Sequence, residues 1–307
     1  MSERASDWPS GRERQATSER ASDWPSGRER QATSERASDW PSGRERQATS
    51  ERAKQPGAVL AALDDSAAAS PVLRTAATMA RTLGARLRVV HVGEQGRTTA
   101  EAVARHRGLS IELFEGDPAQ RIAEASKAAD VAAVVVGARG HRGGRRPCGH
   151  VANAVLGQAS RPVILVAPDV QPARGERFER VLIPLEGSEQ STAGIAAEAE
   201  ALARGGTKII VVHVFRADSM PRFLDHAVHA EQSWGNEFLA QWCARQDVEL
   251  HLRSGHVPRA ILDVAAAEGI DLIALAWSGT MERDHAKVVR EILSRSDLPV
   301  LLAPVQR

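Results

Sequence analysis

From Gly57 onward, short runs of apolar and β-branched residues alternate with Ala-rich segments whose apolar positions recur at helical spacing. Most of the short runs are apolar throughout, which is typical of strands that are covered on both faces of a sheet. Strands that alternate with helices predict right-handed crossovers and a parallel sheet. Five strands are predicted before residue 170, at 58–63, 87–92, 109–114, 130–136 and 162–167.

Residues typical of helix ends support this division. Ser70 followed by Pro71 predicts a helix start, because Ser is a favoured N-cap and Pro is favoured at the first helical position. Gly84 and Gly108 stand where the first two helices are expected to end.

The same pattern occurs a second time along the chain. Residues 59–66 (VLAALDDS) match residues 181–188 (VLIPLEGS), and residues 88–92 (RVVHV) match residues 210–214 (IVVHV). A repeat of more than a hundred residues indicates a domain duplication. We therefore predict an α/β protein with two tandem, Rossmann-like domains, each with a five-stranded parallel sheet. The first domain spans 57–169, the linker 170–177 and the second domain 178–307.

The N-terminal segment, residues 1–56, has a different composition. Residues 2–49 are three identical copies of SERASDWPSGRERQAT, in which Trp is the only large apolar residue. Such a sequence buries too little surface to offset chain entropy, so a disordered tail is predicted. RERQAT matches a spacing read by basophilic kinases, and an unselected polar tail is the alternative.

Composition excludes several classes of protein. The net charge of +1 does not favour binding to nucleic acid, and no apolar run approaches the roughly 20 residues of a membrane span. The two cysteines, Cys148 and Cys243, do not make a disulfide scaffold. A soluble, cytoplasmic protein is expected.

One loop carries candidate chemistry. The segment GARGHRGGRRPCGHV (137–151) follows the fourth predicted strand and contains five glycines and four arginines. Glycines allow main-chain N–H groups to face inward, and the next helix adds its free N–H groups, so phosphate is the expected ligand. The loop matches neither a P-loop nor a dinucleotide-binding G-x-G-x-x-G motif. The alternative is that the glycines serve only loop geometry.

Two further residues lie at the ends of neighbouring strands. Asp64 follows the first strand, where its carboxylate would accept hydrogen bonds from an adenosine group. Val92 closes the second strand and offers backbone groups beside an apolar wall for a purine. In open parallel sheets, ligands bind beyond the carboxyl ends of strands at the point where strand order reverses.

These residues resemble the pattern of the universal stress protein family: a first strand ending near Asp, a second ending in His-Val, and a glycine motif after the fourth. The resemblance covers residues 57–305 and implies two five-stranded parallel sheets of the adenine nucleotide alpha hydrolase-like kind and, in one branch of the family, bound ATP. Mg²⁺ is the expected companion of the triphosphate. The site residues that it implies in the first domain are Ala62, Asp64, Val92, Val136, Gly137, Gly140, Gly149, His150 and Val151.

The chain departs from the family pattern at three of these positions. The spacing between Gly140 and Gly149 is one residue shorter, His150 replaces a Ser or Thr, and Ala62 stands where some ATP-binding members have Pro. An imidazole donates hydrogen bonds to phosphate, and Arg139, Arg142, Arg145 or Arg146 would add positive charge.

The second domain departs further. Ala276, Ala286 and Lys287 replace key loop residues, Glu186 replaces the Asp, and Trp277 is large enough to fill the space that phosphate needs. We expect no nucleotide in this half.

The predicted function is a nucleotide-dependent regulatory or signalling module that binds ATP in the first domain and acts on an unidentified protein partner. The alternatives are a nucleotide-free stress scaffold and a slow ATPase. No nucleophile–base set emerges, so we do not predict an enzyme. The resemblance implies that the two domains pair through their fifth strands, and whole chains would still be able to dimerise through other faces.

Three smaller hypotheses concern single side chains. His91 and His213 end the second strands of both halves, which favours a shared structural role. His226, His229 and Glu231 would begin a metal site, although an ordinary amphipathic helix is the alternative. Cys148 would be a redox switch if neighbouring guanidinium groups lowered its pKa, and an incidental Cys otherwise.

Overall fold

The computed structural model describes residues 57–138, 148–215, 227–243, 247–278 and 286–305, with the backbone alone for 227–231. The predicted disorder of residues 1–56 lies outside this part. All of the described residues belong to one compact unit, Gln47–Arg307.

The described chain alternates strands and helices as predicted. The strands are β1 (Ala58–Ala62), β2 (Arg86–Val92), β3 (Glu112–Phe114), β4 (Val131–Gly137), β5 (Val163–Val166), β6 (Arg180–Pro184), β7 (Lys208–Phe215), β8 (Glu249–Ser254), β9 (Leu272–Trp277) and β10 (Val300–Pro304). The helices are α1 (Ala69–Leu83), α2 (Arg97–His106), α3 (Pro118–Ser126), α4 (His150–Gln158), α5 (Glu189–Arg204), α6 (Ala227–Trp242), α7 (Val257–Ala267) and α8 (Lys287–Arg295). Among the described residues, no helix has the length and apolarity that crossing a bilayer requires.

The strands form one sheet in the order β3-β2-β1-β4-β5-β10-β9-β6-β7-β8. Each half is parallel, and the halves join through an antiparallel pair in which Leu301 of β10 lies opposite Ile164 of β5. The predicted pairing of the fifth strands is therefore confirmed, and it takes place within one chain.

Helices cover both faces of the sheet. Helices α1, α2, α5 and α6 pack on one face, and the apolar cluster beneath them includes Val59, Val181 and Leu301. Helices α3, α4, α7 and α8 pack on the other face, over a cluster that includes Leu60 and Leu182. Each cluster draws residues from both halves, so the two repeats share one continuous core on each face.

Two local predictions need correction. Helix α1 begins at Ala69 with Ala68 as its N-cap, so Ser70 lies inside the helix, and its hydroxyl accepts a hydrogen bond from Arg74 instead. Strand β3 covers only Glu112–Phe114 of the predicted 109–114, because only these residues pair with β2. The predicted helix end at Gly84 is confirmed, with a left-handed φ of 62°.

A buried junction ties the start of the second half to the first. The N–H of Phe178 donates to the hydroxyl of Thr82 in α1, and the carbonyl of Phe178 accepts from the hydroxyl of Thr207. Nearby, the buried carboxylate of Asp271 accepts from the N–H groups of Glu179 and Arg180. These bonds satisfy backbone groups that would otherwise be unpaired inside the protein.

Candidate functional site

The crevice of the first half lies where the strand order reverses. Strands β1 and β4 are neighbours, but β1 leads into α1 on one face, while β4 leads into α4 on the opposite face. Because the two connections diverge, a cleft opens beyond Ala62 at the end of β1 and Gly137 at the end of β4. Open α/β sheets bind their ligands at this kind of switch point.

Helix α4 begins at this cleft, and its first N–H groups have no acceptor within the described part of the chain. Its N-cap is Gly149, which makes no side-chain cap. The first intrahelical bond runs from Asn153 N–H to the Gly149 carbonyl, and the N–H groups of His150, Val151 and Ala152 meet no acceptor among the described residues. These donors and the helix dipole favour an anion at the helix start.

The ends of the glycine loop are drawn together by the backbone. The Gly149 N–H donates to the Ala138 carbonyl at 2.7 Å, and the Ala138 N–H donates to the Val166 carbonyl at 2.8 Å. These two amides are therefore not available to a ligand. Gly140 and the arginines at 139, 142, 145 and 146 lie outside the described residues.

Asp64 is exposed beside the cleft and is fixed by its neighbour. Its Oδ1 accepts from the Ser66 N–H at 3.0 Å and from the Ser66 hydroxyl at 2.6 Å. The Ser66 oxygen in turn accepts from the Ala68 N–H, just before α1. Within the described part of the chain, Oδ2 of Asp64 has no hydrogen-bond partner, so this oxygen is free to accept hydroxyl groups of a ligand.

The side of the cleft formed by β2 and β3 is apolar, and the sequence did not predict the cation that lies there, Arg121. Val92 is 8% exposed and lies opposite Phe114 in the β2–β3 register. The guanidinium carbon of Arg121 lies 5.6 Å from the centre of the Phe114 ring. Phe114 ends the third predicted strand at the same edge, so the strand pattern was enough to place it near the cleft. Nothing in the sequence indicated that Arg121 of α3 lies against the Phe114 ring.

The predicted site residues within the described part all lie at one edge of the sheet. Three adjacent strand ends and the start of α4 bring together Ala62, Asp64, Val92, Val136, Gly137, Gly149, His150 and Val151. The Val136 side chain is only 3% exposed and belongs to the core, so this residue offers its backbone. His150 is exposed at the first turn of α4.

The two strand-end histidines have the structural role predicted for them. His91 Nδ1 lies 2.8 Å from the Leu63 carbonyl, and His213 Nδ1 lies 2.9 Å from the Leu185 carbonyl. Since a carbonyl oxygen only accepts, Nδ1 is the donor in both rings. Each bond ties the second strand of its half to the residue after the first strand.

In the second half, the described counterparts of the loop residues are buried. Trp277 is 4% exposed and packs in the α7–α8 cluster, and Ala286, the N-cap of α8, is fully buried. On the opposite face, a cluster of four rings forms above β7, with centroids 4.7–5.1 Å apart: His213, Phe215, Trp234 and Phe238. Gly279 lies outside the described residues.

The burial of Cys148 favours an incidental role, and the redox hypothesis stays a prediction because the arginines of the loop lie outside the described residues. Burial raises the pKa of the Cys148 thiol to about 12, so the reactive thiolate is scarce at neutral pH. The proposed metal ligands His226, His229 and Glu231 have side chains outside the described part of the chain.

Both halves of the sheet match one known protein family. The sequence model of the universal stress protein family matches residues 93–167 and 177–304. The chain belongs to the universal stress protein family. The match contains two segments, one in each half of the sheet, and in the first half of this universal stress protein it begins just after Val92.

Solved structures with TM-scores above 0.5 show the same fold. A universal stress protein from Archaeoglobus fulgidus has 20% identity and a TM-score of 0.59, covering 82% of this chain and 100% of that chain. A functionally unknown protein from Pseudomonas aeruginosa has 14% identity and a TM-score of 0.57, covering 83% and 94%. A universal stress protein from A. fulgidus in complex with dAMP has 18% identity and a TM-score of 0.30, covering 41% and 98%. No curated protein matches the chain.

Proposed function

We propose that the first half of this universal stress protein binds an adenine nucleotide, ATP, and acts as a nucleotide-dependent regulatory module. The observation that supports this function best is the convergence of an uncapped helix start, at His150, on a switch-point cleft beside Asp64. The α4 N–H groups would hold phosphate, with Mg²⁺ as a companion of the triphosphate. The free oxygen of Asp64 would accept hydroxyl groups of the ribose.

Binding, rather than turnover, is the proposed mechanism. In this proposal the free oxygen of Asp64 binds the ribose, and His91 is buried against Leu63, so neither acts as a general base. ATP would shift the protein between two states only by its different affinity for each. The responding surface would include α4, whose first turn would contact the ligand, and this surface would act on an unidentified protein partner.

A nucleotide-free scaffold is the second candidate, and one observation favours it. The amides of Ala138 and Gly149 are already bonded within the protein, so the base of the glycine loop is satisfied without a ligand. The scaffold would then use only the exterior of the fold.

The test is the nucleotide content of freshly purified protein, followed by titration with Mg-ATP. We expect adenine nucleotide on denaturation and a rise in melting temperature with Mg-ATP. In Asp64→Asn, the amide oxygen preserves the bonds from Ser66 but an NH₂ group replaces the free acceptor. Losing a charged hydrogen bond of about 1.5–3 kcal/mol lowers affinity by about tenfold or more.

Glu186→Gln is the matched control, because Glu186 holds the equivalent place in the second half and accepts a hydrogen bond from the Ser188 hydroxyl, as Asp64 does from the Ser66 hydroxyl. Its nucleotide content should equal that of wild type. An empty wild-type protein that does not respond to Mg-ATP, or equal losses in both variants, would favour the scaffold. Parallel titration with AMP separates recognition of adenosine from recognition of triphosphate.

A further inference from the structure

At the far edge of the second half, one imidazole and two carboxylates converge. Glu249 and His251 are two residues apart on the edge strand β8, so their side chains share the face that α7 covers. Glu268 follows the end of α7 and reaches the same point. His251 Nε2 lies 3.1 Å from Oε1 of Glu249 and 3.5 Å from Oε1 of Glu268.

The spacing of these three atoms fits a small divalent metal ion. Bonds of about 2.0–2.1 Å in a tetrahedron place donor atoms roughly 3.3–3.4 Å apart. The two measured distances bracket this value, and all three donor atoms lie within 4.8 Å of one another. The His251 side chain is only 14% exposed, so its ring is held in place by packing.

Both carboxylates are oriented by cations on their outer oxygens. Lys208 Nζ lies 2.5 Å from Oε2 of Glu249, and Arg180 lies 3.6 Å from Oε2 of Glu268. Arg180 also donates to the Glu268 carbonyl at 2.9 Å. The inner oxygens are thereby directed at His251, in the way that outer partners orient metal ligands.

We propose that Glu249, His251 and Glu268 form a binding site for a divalent transition metal such as Zn²⁺, which would fasten α7 to the edge strand. A fourth position would be left for water. The site involves the beginning of β8, whereas the proposed nucleotide lies at the carboxyl ends of β1 and β4 in the other half. The two proposals are therefore independent.

The hydrogen bond between Arg253 and His251 competes with metal binding, so removal of Arg253 tests the proposal. The Arg253 guanidinium lies 3.3 Å from Nδ1 of His251, and because guanidinium only donates, Nδ1 is the acceptor and Nε2 carries the proton. A metal needs the lone pair of Nε2, so the proton must move to Nδ1 and Arg253 must leave. Arg253 is exposed and leaves at little cost.

The experiment is calorimetric titration of the chelator-treated full chain with ZnCl₂ at neutral pH, with melting temperatures measured alongside. Wild type should bind one Zn²⁺ at this site. His251→Asn and Glu268→Gln should each bind that ion at least about tenfold more weakly. Arg253→Ala should bind Zn²⁺ more tightly than wild type. Saturating Zn²⁺ should raise the melting temperature of wild type and not that of His251→Asn.

His256→Asn is the control, because His256 lies 3.5 Å from Glu291 as a single histidine–carboxylate pair. This variant should bind Zn²⁺ as wild type does. Zn²⁺ bound elsewhere on the chain is the same in wild type and variants, so it does not affect the difference between their titrations. The proposal fails if wild type takes up no Zn²⁺, or if His251→Asn, shown to be folded by circular dichroism, binds it equally well. Weaker binding by Arg253→Ala would also overturn it.

Discussion

His91 and His213 show how one side-chain bond can be kept while its surroundings change. Both rings donate from Nδ1 to the carbonyl of the residue after the first strand of their half. His213, however, lies among Phe215, Trp234 and Phe238. Burial among these rings lowers the pKa of His213 from its ordinary value of 6.5, although the bond to Leu185 opposes this shift.

The lowered pKa of His213 predicts a pH dependence of stability. With a lower pKa in the folded state, the unfolded chain binds more protons below about pH 6.5, so stability falls as the pH decreases from there towards the folded pKa. His213→Phe removes this contribution and should flatten the curve of unfolding free energy against pH between 5 and 7, measured by urea denaturation. His256→Asn, which changes an exposed histidine, serves as the control. Identical curves for wild type and His213→Phe would contradict the prediction.

Single residues also mark the limit of what the sequence predicts. Asp64 and Gly149 were predicted as site residues because each stands at a strand end or helix start that the apolar pattern locates, and their role stays a prediction. Ser66, Arg121 and the Glu249–His251–Glu268 cluster were missed, because their roles depend on where separate elements bring their side chains. Glu249 and His251 share one strand, but nothing in the sequence indicates that Glu268 reaches them.

At the scale of elements, the apolar pattern predicted every strand that the structure describes before residue 170. The differences between prediction and structure lie at the ends of strands and helices. The predicted strand 109–114 begins too early, because Leu109 and Ile111 pack against the apolar cluster on the α1 side before pairing with β2 begins. The start of α1 was misplaced because Ser66, and not Ser70, bonds the N–H that precedes the helix. Both outcomes depend on tertiary contacts.

The close approach of α5 to α1 gives a prediction about packing. A Cβ atom at Gly205, at the end of α5, would overlap the backbone carbonyl of Thr82 in α1. Gly205→Ala should therefore destabilise the fold by about 1–3 kcal/mol, because a backbone carbonyl has no rotamer by which to move aside. Urea denaturation measures this loss.

Gly157→Ala is the matched substitution. Gly157 lies within α4, and a Cβ there meets nothing within 4 Å. The change should be neutral or stabilise by up to about 1 kcal/mol, since Ala favours helix more than Gly does. If both variants lost the same stability, the contact between α1 and α5 would not be the cause.

At the scale of the whole molecule, the duplicated pattern was enough to predict the tandem α/β fold, and the family resemblance implied the pairing of the fifth strands. The shared core was not visible in the sequence. Each face of the sheet has a cluster with residues of both halves, and the junction at Phe178 bonds to Thr82 on one side and Thr207 on the other. The two repeats are therefore parts of one folding unit.

A shared core predicts cooperative unfolding. We expect one calorimetric transition for residues 57–305, with the calorimetric and van't Hoff enthalpies equal. Leu301→Ala, which removes a fully buried side chain from the central antiparallel pair, should lower that transition as a whole by about 2–5 kcal/mol of unfolding free energy. Two resolved transitions, of which Leu301→Ala shifts only the second, would show that the halves unfold separately.

The antiparallel pairing of β5 with β10 within one chain also removes a constraint on how the two halves can mutate. When two identical chains pair, any mutation occurs on both sides of the symmetry axis at once. Covalent fusion of the pair frees each side to vary alone, so an indole at position 277 can close one crevice while the opposite crevice keeps its small residues. The duplicated gene can thus evolve an asymmetry that no homodimer of a single sequence could encode.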